Sequence, residues 1–367
     1  MRLLTFVTTQ KIQSCTEHTV DNPGDLLHVT DVKVKALALL SGGLDSTLAV
    51  KLILDQGIEV EALNFVSPFC LCGKGGCGAA ATAKQLGVPL KVISVGEDYL
   101  KVVRKPKHGY GRNMNPCIDC RVFMLKKAKK YAEEMGFSFI FTGEVLDERP
   151  MSQHFEALKT IEREAGLEGE ILRPLSAKLL PETVAEKKGF VDRRRLLSIR
   201  GRSRKPQIEL AQRYGVVDYP CPAGGCLLTY REFADKLRDL FSHRRSVSVA
   251  DVNLLKVGRH FRFRKNKIIV GRNENENKTL TARKNPNDYF FEVPDCGSPI
   301  TLLQGPKTKK AIEKAAALTA YYSDKKEPKI LVNFGKNTRD KSISVSIPSQ
   351  TEVEMLRIRS LEAKQES

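Results

Sequence analysis

The sequence predicts an α/β chain in which a parallel sheet flanked by helices is followed by a smaller α+β module. Three observations carry that prediction. Short apolar runs alternate with helical periods through residues 35–142, the cadence of βαβ units. A paired-glycine turn follows the first of those runs, where strand gives way to helix. Beyond about residue 230 the cadence changes to an amphipathic helix and a series of short strands.

Residues 1–32 show no clear period, and Asp21-Asn22-Pro23-Gly24 reads as a turn, so the start is a leader strand, a hairpin or a loose arm, taken as an N-terminal arm over 1–34. From Lys35, KALALL is a short buried strand, SGGLDS a turn, and STLAVKLILDQG a helix closing at Gly57. EVEALNF is the next strand, followed by a cysteine-bearing loop, the helix AAATAKQLG and the strand PLKVISV. A helix over 118–135 then leads into the strand FSFIFTG. Residues 150–230 are punctuated by Pro174, Pro181, Pro206, Pro220 and Pro222, with short helices between them. After that, REFADKLRDLF is an amphipathic helix. KIIVG, DYFFEV, ITLL, KILVNF and SISVSI are strands, interrupted by one helix in 307–320. The expected division is an arm at 1–34, an α/β domain at 35–230 and a basic α+β domain at 231–367.

Composition narrows the function. Lys plus Arg number 61 against 43 Asp plus Glu, a net charge of +18, and an excess of that size points to a polyanionic partner, usually nucleic acid. No apolar run approaches the roughly 20 residues of a membrane span. The start MRLLTFVTTQKIQSC lacks a signal-peptide apolar core. A cytoplasmic location is therefore expected. Nine cysteines in such a chain favour metal or redox chemistry over a disulfide scaffold.

The sharpest motif is Ser41-Gly42-Gly43-Leu44-Asp45-Ser46. Its glycines permit a tight turn whose main-chain N–H groups and helix start can cradle a pyrophosphate, with Ser41 and Ser46 adding hydroxyls. Asp45 would hold Mg2+ or orient the phosphates. No Lys-Ser or Lys-Thr follows, so this is not a Walker A loop. Cys117 and Cys120 form a CxxC before a helix, and Cys221 and Cys226 lie in PCPAGGC. Thiolates from these two pairs suit an iron–sulfur cluster, and Zn2+ fits the spacing almost as well. Cys70, Cys72 and Cys77 form a third, close-set group whose role is open. Two basic stretches complete the pattern. Residues 193–205 carry seven Arg or Lys in thirteen positions, and residues 259–267 carry five in nine with Phe261 and Phe263 interleaved. Basic residues bind phosphate and interleaved aromatics can stack unpaired bases. His108, in a glycine-containing loop before the CxxC, is left without a catalytic assignment.

The hexapeptide closely resembles the PP-loop of ATP pyrophosphatases. Asn115-Pro116-Cys117-Ile118-Asp119-Cys120, Thr142-Gly143-Glu144 and Ser152-Gln153 further resemble tRNA 4-thiouridine and 2-thiouridine synthases across roughly residues 35–230. Residues 259–274 are similar to an RNA-binding module found at the C-terminus of ribosome-quality-control proteins, the NFACT-R type. The resemblance implies an adenine-nucleotide α-hydrolase-like (HUP/PP-loop) sheet. ATP would rest on residues 41–46, with adenine near Phe65 and Thr142-Gly143. It further implies a [4Fe-4S] cluster on Cys117, Cys120 and a third cysteine, Cys221 before Cys226, or a persulfide on such cysteines. The implied activity is ATP-dependent sulfurtransfer to a tRNA uridine, releasing AMP and pyrophosphate, from a sulfide or persulfide donor. Dimerisation stays open. The rival readings are a deazaguanine nitrile synthase-like ligase acting on a small molecule, and a non-enzymatic RNA-binding factor with a nucleotide-sensing pocket.

Overall fold

The computed structural model describes residues 34–71, 78–216 and 225–359. The expected N-terminal arm, Cys72, Cys77 and Cys221 lie outside them. Five strands form the first sheet: β1 (Lys35–Leu39), β2 (Glu59–Val66), β3 (Leu90–Ser94), β4 (Phe139–Thr142) and β5 (Ile171–Leu172). All pair in parallel, in the order β3-β2-β1-β4-β5. Such a sheet is buried on both faces, which is why its strands read as nearly continuous apolar runs. Ala36, Ala38 and Leu40 pack with Ala49, Ile53 and Phe141 on one side, and Leu37 packs with Leu63, Leu125 and Ile161 on the other. The chain reverses its winding between β1 and β4, so the carboxyl ends of these two strands flank the crevice where α/β sheets bind ligands.

The helices of this region are α1 (Leu44–Leu54), α2 (Gly78–Leu86), α3 (Glu97–Arg104), α4 (Cys117–Met135), α5 (Phe155–Ala165), α6 (Val184–Lys187) and α7 (Lys205–Arg213). The α1 and α4 spans follow the sequence expectation closely. Helix α3 was not anticipated: only eight residues long, it buries just Tyr99, Leu100 and Val103, too few for a clear period.

A six-stranded antiparallel sheet follows. It comprises β6 (Arg259–Phe263), β7 (Asn266–Val270), β8 (Tyr289–Glu292), β9 (Thr301–Gln304), β10 (Ile330–Gly335) and β11 (Lys341–Val345), in the order β11-β10-β8-β9-β7-β6. The region also contains α8 (Arg231–His243), α9 (Val249–Leu254), α10 (Glu274–Arg283), α11 (Lys309–Tyr321) and α12 (Gln350–Leu356). The expectation of a single helix among these strands is therefore too low. In α10 the sequence ENENKTLTAR buries only Leu280, so it carries no apolar stripe, and its start is fixed by Asn273 accepting from the Glu276 backbone N–H at 3.0 Å. Helix α11 covers one sheet face through Ala311, Ala315 and Leu318 against Phe261, Phe291 and Val332. Helices α8 and α9 pack instead on the first region: Phe233, Leu237 and Val252 share a core with Phe69, Tyr99 and Val103. Arg104 donates to the backbone oxygens of Phe241 and Arg244 at 2.7 and 2.6 Å, closing the end of α8.

Candidate active site and nucleic-acid interface

The phosphate-loop candidate leaves β1 and enters α1. Gly42 has φ +77°, and a Cβ there would stand 2.3 Å from the backbone nitrogen of Ala79, so only glycine fits where α2 closes on the loop. Ser46 Oγ donates to the Gly43 carbonyl at 2.9 Å and lies 3.2 Å from Ser41 Oγ. Thr47 Oγ1 donates to the same carbonyl at 2.9 Å. Leu44 is turned into the core with Leu48, Val145 and Leu175, leaving its main chain at the helix start. From the carboxyl end of β4, Gly143 presses on the loop: a Cβ there would lie 2.4 Å from both N and Cα of Ser46. Thr142-Gly143 and Ser41–Ser46 thus meet. Phe65, at the end of β2, is half-buried between two core clusters with Ile93.

Asp45 points into a charged, largely closed corner. Its Oδ2 is 3.5 Å from Arg204 Nη2, which also bonds Glu148 Oε1 at 2.9 Å. Asp45 Oδ1, Arg204 Nη1 and both polar ends of the fully buried Gln207 have no hydrogen bond within 3.5 Å, although the Gln207 side chain lies near enough to Asp45 to pull its carboxyl down. Burial and then the neighbouring Glu148 push the Asp45 carboxyl up to about 6, against the opposing pull of Arg204 and Arg149. A carboxylate so placed favours a cation beside it, and orphaned donors next to it favour an anion. That donor set fits Mg2+ with phosphate.

The basic stretch 193–205 contributes to this corner through Arg204. Arg193 is bound to Glu186 at 2.6 Å, Arg194 to Asp192 at 3.1 Å and Arg200 to Asp147 at 2.6 Å, so those three are engaged along the surface.

The thiols gather beside the ends of β2 and β3, where Cys120 and Cys226 pack with Phe65, Ile93 and Tyr99. Cys117 and Cys120 open α4, and Cys226 faces Cys70 across an isolated antiparallel bridge. The surroundings are apolar and aromatic: Tyr99, hydrogen-bonded to Cys120, contacts Phe123 with ring centroids 5.3 Å apart, and Cys120 Sγ lies 4.0 Å from Met124 Sδ. Burial raises the thiols of Cys117, Cys120 and Cys226, the last to about 12, and each also feels its neighbouring cysteines or Arg121. Bringing thiolates together here therefore calls for a cation or metal. Among the described residues, no three Cys, His, Asp or Glu side chains converge closely enough to hold one ion.

A buried ionic ladder joins the two corners. Arg121, directly after Cys120, pairs with Glu144 at 3.3 Å. Glu144 pairs with Arg173 at 3.1 Å, and Arg173 with Glu162. Burial alone would raise the Glu144 carboxyl, but Arg121 and Arg173 outweigh it and hold it below the usual range. Sequence reasoning missed Arg121, Arg173, Glu162 and Gln207, and held Arg204 only as one of the basic residues of 193–205. The only signal was position, since Arg121 adjoins the CxxC. His108 bonds Glu164 at 3.0 Å.

In the second region the RHFRFRKNK reading needs correction. Strand alternation turns Phe261 inward, fully buried, and packs Phe263 on the same core, so the pair is not a base-stacking platform. Lys267 is also buried, its ammonium pushed down to about 7 by desolvation. Arg262 is tied to Asp239 at 2.8 Å, and Arg259 stacks on Tyr322 at 4.5 Å. Arg264 and Lys265 stand exposed at the β6–β7 turn.

Residues 31–179 match the family described as thiamine biosynthesis protein (ThiI), and residues 258–357 match the NFACT protein RNA binding domain. Each of these two matches covers less than half of the chain. Among curated proteins it is similar to the tRNA-specific 2-thiouridylase MnmA of Syntrophotalea carbinolica, 33% identical over 120 residues, 29% of this chain and 33% of that protein. The chain thus spans about a third of the length of such relatives. Among solved structures it is similar to a 4-thiouridine synthetase bound to RNA and ATP, with TM-score 0.35, 24% identity and coverage of 61% of this chain and 52% of that one. It is also similar to the U34-tRNA thiolase NcsA of Methanococcus maripaludis with its [4Fe-4S] cluster, with TM-score 0.30, 20% identity and coverage of 61% and 73%. Among the described residues no helix is long and apolar enough to cross a membrane.

Proposed function

We propose that the chain thiolates a uridine in tRNA at the expense of ATP. The observation that carries the proposal is the shared edge of one parallel sheet. The loop after β1 and Thr142-Gly143 after β4 touch, while Glu144 reaches through Arg121 to the Cys117–Cys120 pair. A phosphate site and a thiol site are thus joined by one ion pair. The name of the curated relatives, tRNA-specific 2-thiouridylase, and the RNA-binding domain match agree with a macromolecular acceptor.

In this reading Ser41, Gly42, Gly43, Leu44 and Ser46 hold the ATP phosphates through main chain and hydroxyls, and Asp45 holds Mg2+. Phe65 and Thr142-Gly143 border the adenine. The uridine carbonyl oxygen attacks the α-phosphorus and pyrophosphate leaves. A sulfur nucleophile then attacks the activated carbon, and AMP departs with the former carbonyl oxygen. Arg204 neutralises the departing phosphate charge. Cys117 and Cys120, with Cys226 or Cys221, would hold a [4Fe-4S] cluster, which supplies a binding place for sulfide. Arg121 balances the negative charge gathered on those thiolates. The uridine enters unstacked, as a loop or tRNA corner allows more cheaply than a duplex. Residues 35–230 would form the catalytic domain and 231–367 the RNA-binding domain, with Arg264 and Lys265 on tRNA phosphates.

Iron, acid-labile sulfide and zinc content of protein purified without oxygen tests the sulfur half. Roughly four irons and four sulfides per chain support it. Stoichiometric zinc without iron would overturn the cluster assignment and move the thiols to a structural or persulfide role.

A further inference from the structure

Cys70 belongs to none of the roles above, and the fold gives it a specific partner. It follows β2 and bridges Cys226 in antiparallel register. The flanking hydrogen bonds run from Leu71 N–H to Gly225 O at 3.3 Å and from Leu227 N–H to Phe69 O at 2.9 Å. With the bonds on either side of the pair, Cys70 and Cys226 occupy a non-hydrogen-bonded site, where facing Cα atoms stand about 4.5 Å apart and side chains share one face. That spacing falls inside the window of about 4.4–6.8 Å that a disulfide requires. The Ser67 N–H donates to Cys70 Sγ at 3.2 Å, and the Ser67 hydroxyl lies 3.4 Å from the same sulfur. Leu71 beside it is exposed. Both cysteines are free and half-buried.

We propose that Cys70 and Cys226 form a thiol–disulfide site, closed by a low-molecular-weight disulfide such as oxidised glutathione. Cys70 thiolate attacks one sulfur of that reagent, forming a mixed disulfide and releasing one glutathione thiolate. Cys226 then attacks Cys70 Sγ after losing its proton to solvent, and a second glutathione thiolate leaves. The two protein thiols are oxidised by two electrons, and oxidised glutathione is reduced to two thiols. A Cys226 sulfur bonded to Cys70 is withdrawn from the Cys117–Cys120 pair, so where Cys226 rather than Cys221 is the third thiol, closure would block sulfur transfer while leaving adenylation untouched. That consequence rests on the thiolation reading. The disulfide itself does not, so either can fail alone.

The test is oxidation of the full chain, stripped of metal with a chelator, by oxidised glutathione, followed by thiol titration and mapping of joined proteolytic fragments. The expected result is loss of two of the nine thiols, a single Cys70–Cys226 linkage, and no such loss in Cys70→Ser or in Cys226→Ser. The unsubstituted chain decides the question even where a variant fails to fold. A Cys117–Cys120, Cys70–Cys72 or Cys221–Cys226 linkage would overturn the proposal. So would glutathione retained on Cys70, or nine thiols unchanged.

Discussion

The two corners of the site are built in opposite ways. Around Asp45 the structure supplies charges of both signs and leaves several atoms unpartnered. Around Cys120 it supplies aromatic and thioether surface, with Arg121 as the nearby cation. A corner built of orphaned polar groups is ready for a polar ligand that completes it, whereas an apolar corner keeps thiols protonated until something replaces their protons. The contrast teaches that one edge of the sheet holds two chemically unlike environments, with the Arg121–Glu144 pair lying between them.

The strongest way to break that contrast is to disable one corner at a time. Asp45→Ala should lower RNA-stimulated pyrophosphate release by about 10²–10³-fold or more while RNA binding persists, read by a pyrophosphate assay and a binding titration. Cys120→Ala should abolish incorporation of sulfur into RNA and leave pyrophosphate release close to the parent rate. If Cys120→Ala also stopped pyrophosphate release, the corners would not be separable.

Cutting the connection should cost stability before chemistry. Glu144→Gln leaves the buried Arg173 and the half-buried Arg121 with one carboxylate fewer, and loss of a partner from a buried ion pair costs about 3–5 kcal/mol. Denaturant unfolding should show a loss in that range. A loss under about 1 kcal/mol would mean that solvent reaches the ladder and screens it.

The pH dependence of the empty protein sharpens the comparison further. The Asp45 carboxyl is raised from 3.8 to about 6 in the fold. Its stabilising contribution is therefore complete below about pH 4, and is lost as pH rises through about 6, when the buried group ionises. Asp45→Asn removes that loss and should make the nucleotide-free protein more stable than the parent at pH 7.5, by roughly 1–3 kcal/mol given about 1.4 kcal/mol per pKa unit. The advantage should shrink toward pH 4. Equal stability at both pH values would show that Asp45 is solvated.

The smallest effect is expected away from both corners. Arg264→Ala should weaken RNA binding modestly and reduce the slope of log affinity against log salt by about one, with no change in ATP turnover on a saturating RNA. An unchanged slope would remove Arg264 from the interface.

What the sequence made legible divides along similar lines. The phosphate loop and its strand-to-helix setting could be read because backbone geometry itself demands Gly42 there, and the CxxC because spacing on a helix start is local. The parallel sheet was legible because strands buried on both faces, such as Lys35–Leu39, are apolar almost throughout. Pairings between distant residues left no such trace. Nothing near Cys70 announces that Cys226 lies opposite it, and Arg173 and Gln207 look like surface residues until the fold buries them at 3% and 0% exposure. The basic run at 259–267 misled for a related reason. Its alternation of aromatic and basic residues is the signature of a half-buried strand as much as of a nucleic-acid surface, and the core on which Phe261 packs comes from β10, α11 and other elements far along the chain.

The central claim is that both corners serve one reaction on RNA. The most direct measurement incubates tRNA with the protein, ATP, Mg2+ and a sulfide source under anoxic conditions, then quantifies AMP and analyses the tRNA nucleosides by mass. The account predicts a uridine in which one oxygen has been exchanged for sulfur, formed in step with AMP. AMP formed without any sulfur-containing nucleoside, or no tRNA-stimulated AMP at all, would contradict it.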